Sequence, residues 1–566
     1  MQTVHDSRAH LHWPVTLPTS NLIENSLLIG WEKCKICSRL TEELRDKKMT
    51  NPYRSRILYL ASLLTIAGML AACGTVNNQT FATPATSIGP TPNPLVARYF
   101  ISSACAGEAM VEFGPDTSYG RSTSWQSIPG GHRTTNFLVA GMKASTTYHM
   151  RPTMRCFGQT WTGKDQTFTT GPLPPADAIG ITVSRPVQPA APQQGVELLN
   201  LADIGPSNLQ AGVVDLDGNV IWFYHPADKE TVLPLKPLSN GHMIADVSNN
   251  ATGVYKLREI DLAGNTIREI SSTALARLLI PLGRSVTFFQ FHHDILPLPN
   301  GHIIVLASMK VPFNDLPGYP GTTNVIGDLL IDLDPNWTPV WFWSTFDHLD
   351  VNRHLQGLPD WTHSNAIIYT PNDGNLVLSI RHQSWVVKID YQNGTGTGNI
   401  LWKLGEGGDF TLAGGDPSQW FYAQHYPNIL STNGSQLSMA LIDNGNFRIV
   451  DSSGTQCGST VPCYTRAVIF DVDEATRSAS VAWQNLPGVF TNWGGSIDEI
   501  DGDNVEFDLT APFPSPTPPY FLPKSRVEEM TQDGSGTVVW QMDINGANGY
   551  RAYRIPSLYP DVTWTQ

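Results

Sequence analysis

Residues 213–222 read VVDLDGNVIW. An apolar run meets an aspartate, a polar turn reverses the chain, and a second apolar run ends in tryptophan. Asp, Gly and Asn supply the positive-φ positions of a tight turn, so the stretch reads as a hairpin. The pattern returns as EIDLAGNTIREI (259–270), LIDLDPNWTPVW (330–341), KIDYQNGTGTGNILW (388–402), IFDVDEATRSASVAW (469–483) and EEMTQDGSGTVVW (528–540). A second hairpin signal, an apolar step with an Asn-Gly or Asp-Gly turn, falls between these copies as LSNGHMIADV, LPNGHIIVLA, TPNDGNLVLSI and STNGSQLSMAL.

Two hairpins make a four-stranded sheet, and six copies make a ring of six sheets. The expectation is an all-β chain whose residues 190–566 form a six-bladed β-propeller, a fold that protects strand edges by radial repetition. The spacing of the turn aspartates is uneven, at 46, 71, 58 and 81 residues from Asp215 through Asp261, Asp332 and Asp390 to Asp471. Some sheets must therefore carry long loops.

Upstream, residues 95–172 show short alternating runs (MVEFG, NFLVAGM, TYHMRPTM, QTFTT) at sandwich spacing. Their pattern resembles a fibronectin type III-like β-sandwich, joined to the repeats by a linker at 173–189. Residues 74–94, rich in Thr, Asn, Pro and Ser, read as a flexible tether. Before them, Arg54 and Arg56 lead into the apolar run ILYLASLLTIAGML and then Ala71-Ala72-Cys73. Fourteen apolar or small residues are too few to span a bilayer, so 49–73 reads as a lipoprotein-type signal peptide with Cys73 as the lipidated residue. Met49 stands where such a peptide starts, so 1–48 reads as a non-native or disordered extension. These signals predict a bacterial envelope protein, exported and lipid-anchored on the periplasmic side or at the cell surface. In such an oxidising compartment, proximity pairs Cys105 with Cys156 and Cys457 with Cys463.

The chain has 566 residues and a net charge of −14, which excludes a nucleic-acid partner because nothing would neutralise a phosphate backbone. The histidines hold the chemistry. Counted back from the turn glycine, His292 lies nine residues before Gly301 and His425 nine before Gly434. His363 lies eleven before Gly374, behind a turn wider by two. Equivalent points of successive blades face one axial opening, so these imidazoles should converge. His292 and His293 point oppositely if extended, and the register favours His292 unless a bulge intervenes. Arg381 follows an apolar strand and must face the channel or pair with a carboxylate. Asn365 shares a face with His363, while His382 falls on the face opposite Arg381.

Three histidines could bind zinc or copper, and a metal-dependent hydrolase using His292, His363 and His425 stays open. Arg381 and the lack of a carboxylate in sequence beside His363 or His425 speak against metal. A cationic, donor-rich pocket suits a tetrahedral anion such as sulfate or phosphate, towards which a neutral imidazole is a competent nucleophile. A non-catalytic surface propeller binding a sulfated or phenolic ligand needs the same pocket and stays open too.

The ordered motifs HHD (292–294), DWTHSN (360–365), SIRHQSW (379–385), LWKLG (401–405), QHYPN (424–428), DNGN (443–446) and YRAYRIPSLYP (550–560) resemble those of bacterial arylsulfate sulfotransferases over 190–566. The resemblance implies a propeller enzyme of the envelope that takes small phenolic sulfate donors and phenolic acceptors. It implies a ping-pong route through a sulfohistidine, with no cofactor, no metal and no need for 3′-phosphoadenosine 5′-phosphosulfate. His425 would be the nucleophile. His363, Asn365 and Arg381 would hold the sulfuryl oxygens, and His292 or His293 would protonate the departing phenolate. Trp361, Phe421, Tyr422 and Trp493 would either stack on the phenol or pack in the core. A homodimer, as in relatives, stays open. Tyr426-Pro427 departs from the family pattern, and Pro427 fixes φ and removes an amide donor there.

Overall fold

The computed structural model describes residues 82–565 apart from 187–190, 203–207, 250, 459, 501–503 and 513–523. The extension 1–48, the signal segment 49–73 and Cys73 lie outside the described residues. The chain is all-β, with 53% strand and 6% helix, in many antiparallel sheets.

Each pair of sequence hairpins forms one sheet. Seven strands are labelled here because they position the site. Strand β1 (Val196–Ala202) opens sheet one with Ala211–Val214 and Val220–Tyr224. Strand β2 (Thr231–Pro237) opens sheet two, β3 (Phe288–Pro297) sheet three, β4 (Ser364–Thr370) sheet four, β5 (His425–Asn433) sheet five and β6 (Ile497–Ile500) sheet six. The last strand, β7 (Asn548–Ile555), returns to pair antiparallel with β1, Leu198 opposite Tyr553. First strands of successive sheets touch in chain order, β1 to β2 through β5 to β6, and Asn504–Thr510 of sheet six touches β7 of sheet one.

The turn aspartates act as the sequence predicts. Asp215 accepts the amides of Asp217 and Asn219, and Asp261 those of Ala263 and Asn265. Two copies run two residues late. Asp334 and Asp473, not Asp332 and Asp471, accept the turn amides. Strand alternation explains the slip: an aspartate two residues upstream shares the face and looks equivalent in the pattern. Asp332 instead accepts the Tyr391 hydroxyl, 2.6 Å away.

The amino-terminal residues form two antiparallel sheets, Ala97–Ser103 pairing with Ala85–Pro90 and Arg133–Val139, and Ala106–Gly114 pairing with Thr147–Cys156. Two strands lie where linkers were expected. Ala85–Pro90 falls within the tether 74–94, and Gly180–Ser184, within 173–189, pairs with Val538–Asn545 of sheet six. Both are edge strands, which tolerate the polar composition that reads as linker. Disulfides join Cys105 to Cys156 and Cys457 to Cys463. The carboxy end holds the amino-terminal sheets to the rest: Tyr559 donates its hydroxyl to the Leu138 carbonyl, and Trp564 its indole N–H to that of Ser122. Gly141 has φ +96°, and a Cβ there would lie 2.3 Å from the Trp564 ring.

Candidate active site

Strands β3, β4 and β5 each break their ladder where the histidines fall. The register shifts between Phe291 and Ile295, between Ser364 and Ala366, and between His425 and Asn428. Left-handed backbone marks each break, at His293 (φ +63°), His363 (φ +50°) and Tyr426 (φ +47°). A bulge re-aims the side chains around it. It also accommodates Pro427, which in regular pairing would leave a ladder bond unmade.

The breaks decide which rings meet. His293 packs against His363 with ring centres 4.7 Å apart, and against Tyr550 at 5.6 Å. His292 turns away, placing Nε2 3.3 Å from Asp328 Oδ1 while its Nδ1 lies 2.6 Å from His293 Nδ1. Register counted from Gly301 had favoured His292, and the bulge puts His293 in the cluster instead.

His425 is 1% exposed at the start of β5. Its Nδ1 lies 2.7 Å from Asn444 Oδ1, while Nε2 accepts the Gly494 amide at 3.2 Å. The Asn444 amide nitrogen donates to the carbonyls of Thr491 and Gly494, which leaves its oxygen to face the ring. Nδ1 therefore carries the proton and Nε2 the lone pair. Gly494 has φ +68° and stands where a Cβ would lie 2.3 Å from Thr510 Oγ1, so only glycine presents this amide. Burial, then the Arg381 charge and His363, hold the His425 ring well below the ordinary imidazole value, against the Asn444 hydrogen bond. Burial and the same neighbouring rings push His293 down as well.

Arg381 lies in a 3-10 turn, Arg381–Gln383, rather than a strand. It donates to the Asn492 carbonyl at 2.9 Å and to His382 Nε2 at 2.5 Å, and its Nε finds no partner among the described residues. No carboxylate is paired with it among those residues, and burial lowers its pKa to about 10. Asn365 is fully buried and commits one amide proton to the Gln424 carbonyl.

His382 joins the cluster, contrary to the alternation expected of a strand, because the turn carries its ring over His363 with centres 4.6 Å apart. Burial, then His363 and Arg381, bring it to about 4. A carboxylate does accompany His363: Asp360 Oδ2 lies 2.5 Å from its Nδ1. Burial raises the Asp360 pKa, but the His363 hydrogen bond and charge outweigh it and bring it to about 2. Asp360, His363 and His382 form the one set of metal-like spacing among the described residues, within 4.8 Å. It is not the His292, His363, His425 set. His363 Nδ1 already meets Asp360 Oδ2, His382 Nδ1 lies 2.7 Å from the Asp360 carbonyl and the Arg381 cation sits on His382 Nε2, so the set fits a metal poorly.

Beneath the rings, strand β7 contributes Tyr550 and Arg551. Arg551 is fully buried, donates to the Asn365 carbonyl and lies 3.3 Å from Asp294, which also takes Lys236 at 2.5 Å. Trp493 stacks on Tyr550 at 6.5 Å. Trp361, Phe421 and Tyr422 are core residues, 1%, 0% and 5% exposed. Sequence reasoning gave no role to Asn444, Tyr550 and Arg551. Their signal was polar or charged residues inside apolar strand ends, at DNGN and YRAYR.

A model of the arylsulfotransferase (ASST) family matches residues 187–551. No curated protein matches the chain. Among solved structures, a protein of unknown function from Bacteroides caccae is 10% identical with a TM-score of 0.37, covering 64% of this chain and 98% of its own. A putative 6-phosphogluconolactonase from Bacteroides fragilis is 9% identical with a TM-score of 0.32, covering 79% of this chain and 98% of its own. Likeness at this level carries no argument.

Proposed function

The chain belongs to the arylsulfotransferase (ASST) family, and from that membership we propose that it moves a sulfuryl group from a phenolic sulfate ester to a phenolic acceptor through a sulfohistidine on His425. The observation that carries the reading is a buried imidazole fixed in one neutral tautomer, Nε2 lone pair inward, beside an arginine with no carboxylate partner among the described residues.

In the first half-reaction Nε2 displaces the Gly494 amide from its lone pair and attacks sulfur. An N–S bond forms, the S–O bond to the phenol breaks, and the electron pair leaves on the phenolate oxygen. Arg381 Nε, the free Asn365 amide proton and His363 face the three sulfuryl oxygens, where charge builds. The phenolate takes its proton from the ring N–H of His293, whose Nδ1 receives one in turn from His292 across their short contact, beside Asp328; when the acceptor phenol is deprotonated the proton returns along the same path. The acceptor oxygen then attacks sulfur and frees His425.

The six sheets serve in this reading as blades of a six-bladed propeller, since their first strands touch in order and β7 ties the end of the chain to β1. The amino-terminal sheets serve as a fibronectin-like sandwich. We also propose export with a lipid anchor at Cys73. The two disulfides support an oxidising compartment, and a mature protein whose Cys73 carried no lipid would refute the anchor.

The test is acid-quenched mass spectrometry of the protein with 4-methylumbelliferyl sulfate and no acceptor. A sulfuryl adduct on the peptide holding His425 is expected, and phenol should discharge it. His425→Ala should fold and lose at least about 10³-fold in transfer, as nucleophile removal does elsewhere. Substantial transfer by that variant would sink the covalent route.

A further inference from the structure

A cavity of about 340 Å³ opens beside the two histidines of β3. Its walls include Val232, Leu233, Tyr255 and Phe291, and it reaches His293. On the pattern that brings a histidine to β3 and β5, sheet two places Val232, nine residues before Gly241. The ladder of β2 breaks there too, between Val232 and Leu235. Sheet two therefore offers an apolar wall where sheets three and five offer rings.

One carboxyl lines this wall. Asp246, in Met243–Asn249, sits opposite that break and is 3% exposed. Its Oδ1 finds no hydrogen-bond partner among the described residues. No lysine or arginine lies within ion-pairing distance of it among those residues, none lines the described cavity, and Lys236 nearby is committed to Asp294. Burying a carboxylate without a partner is costly, so such groups are kept protonated or paired. Burial does push Asp246 well above the ordinary carboxylate range.

We propose that this cavity holds the organic body of the acceptor phenol and that Asp246 selects acceptors carrying a protonated amino group, by pairing with the ammonium. The inference rests on the sulfuryl-transfer reading for which end of the ligand faces His293. The volume lies at the lower end of ligand pockets, about 300–1,000 Å³, which suits a single ring with a short arm. The negative charge of the sulfuryl group is met on the other side, by Arg381. What the cavity lacks is a cation, and what it holds is one carboxyl, so a phenol bearing an ammonium supplies the missing partner.

Isothermal titration of the full chain, without any sulfate donor, compares 4-(2-aminoethyl)phenol with 4-ethylphenol, which has the same shape and no amine. The amine should bind at least tenfold more tightly, and Asp246→Asn should remove that advantage while 4-ethylphenol binds as before. Ser248→Phe, at the cavity rim with Asp246 intact, should weaken both ligands at least tenfold. Equal affinities in the unmodified protein, an advantage that survives Asp246→Asn, or full binding by Ser248→Phe would each overturn the proposal. These readouts need no turnover. Failure of the transferase reading would appear separately, as absent sulfation of every phenol despite selective amine binding.

Discussion

A histidine that attacks sulfur must be neutral, yet it must share its pocket with a cation that draws in the anion. At His425 these demands reinforce each other. Burial, the largest cause, and the Arg381 charge both disfavour the imidazolium, so the ring keeps its lone pair well below the usual imidazole pKa. Activity depends on the unprotonated form, so it is full above the folded pKa and is lost only as pH falls through it. Arg381 sets the other side, since its cation is lost as pH rises through about 10. Release of 4-methylumbelliferone in a single turnover without acceptor, which avoids titration of the acceptor phenol, should therefore show an acid limb well below pH 6.5 and an alkaline limb near 10. Arg381→Gln should slow the step by about 10²-fold or more, the typical loss when one oxyanion donor is removed. It should also raise the acid limb while leaving it below 6.5, because burial remains. An acid limb at the ordinary imidazole value in the unmodified protein would contradict the proposed role of His425 as a desolvated nucleophile.

The convergence of the three histidine stretches was legible because the turn glycines set a common phase, but the choice of ring was not. A β-bulge adds one residue to one strand, and counting from the far end of the hairpin cannot see it. In β3 two extra residues, from Phe291 to Ile295, and the left-handed backbone at His293 bring that ring inward in place of His292, and in β5 one extra residue separates His425 from Tyr426, which stacks instead on Arg551 at 4.7 Å. His382 was misjudged for a related reason: a 3-10 turn ends the strand at Ile380, so alternation stops before it. Asn444 was hidden because fixing a tautomer needs only one oxygen at the right distance, which no spacing encodes. The bulge in β5 can be tested directly. Deleting Tyr426 removes the extra residue and restores a period of two, which turns the His425 side chain from its present direction. Far-ultraviolet circular dichroism should stay that of the folded protein while transfer falls at least about 10²-fold, in line with the cost of roughly 1 Å misplacements. Pro427→Ala should stay within about threefold of the unmodified rate, since no ladder bond depends on that nitrogen. Full activity in the deletion would show that the bulge does not aim the nucleophile.

Across the whole molecule, the tryptophans that end four of the six repeats join their sheet to the next. Trp222 of sheet one donates its indole N–H to the Leu262 carbonyl in the turn of sheet two. Trp343 of sheet three reaches Gly398 of sheet four, and Trp402 of sheet four reaches Glu474 of sheet five. Trp540 of sheet six reaches the Leu216 carbonyl, in the turn of sheet one. The repeats predicted tryptophans at these ends, although in the third copy the bond is made by Trp343 and not Trp341, two residues late like its aspartate. In sheet two the position seven residues after the turn aspartate, held by Trp222 and Trp540 in their copies, belongs to Arg268. Its guanidinium takes over the bond, donating to the Pro335 carbonyl at 2.6 Å and lying 4.3 Å from the centre of the Trp337 ring. These contacts are unequal in what they bury. Trp540 is 0% exposed and joins the last sheet to the first, whereas the Arg268 side chain is 37% exposed. Trp540→Ala should therefore cost about 3–5 kcal/mol, the usual loss for a buried aromatic truncated in a core. Trp540→Phe keeps most of the ring and removes one hydrogen bond to the Leu216 carbonyl, which Arg185 still reaches at 3.1 Å, a loss of about 0.5–1.5 kcal/mol. Arg268→Ala should cost no more than about 1 kcal/mol, as an exposed charge contact does. Urea midpoints taken by tryptophan fluorescence and circular dichroism should fall in that order, with both probes moving together if the six sheets unfold as one unit. Equal midpoints for Trp540→Ala and Arg268→Ala would mean that β7, paired to β1, holds the last sheet to the first without help from the indole contact.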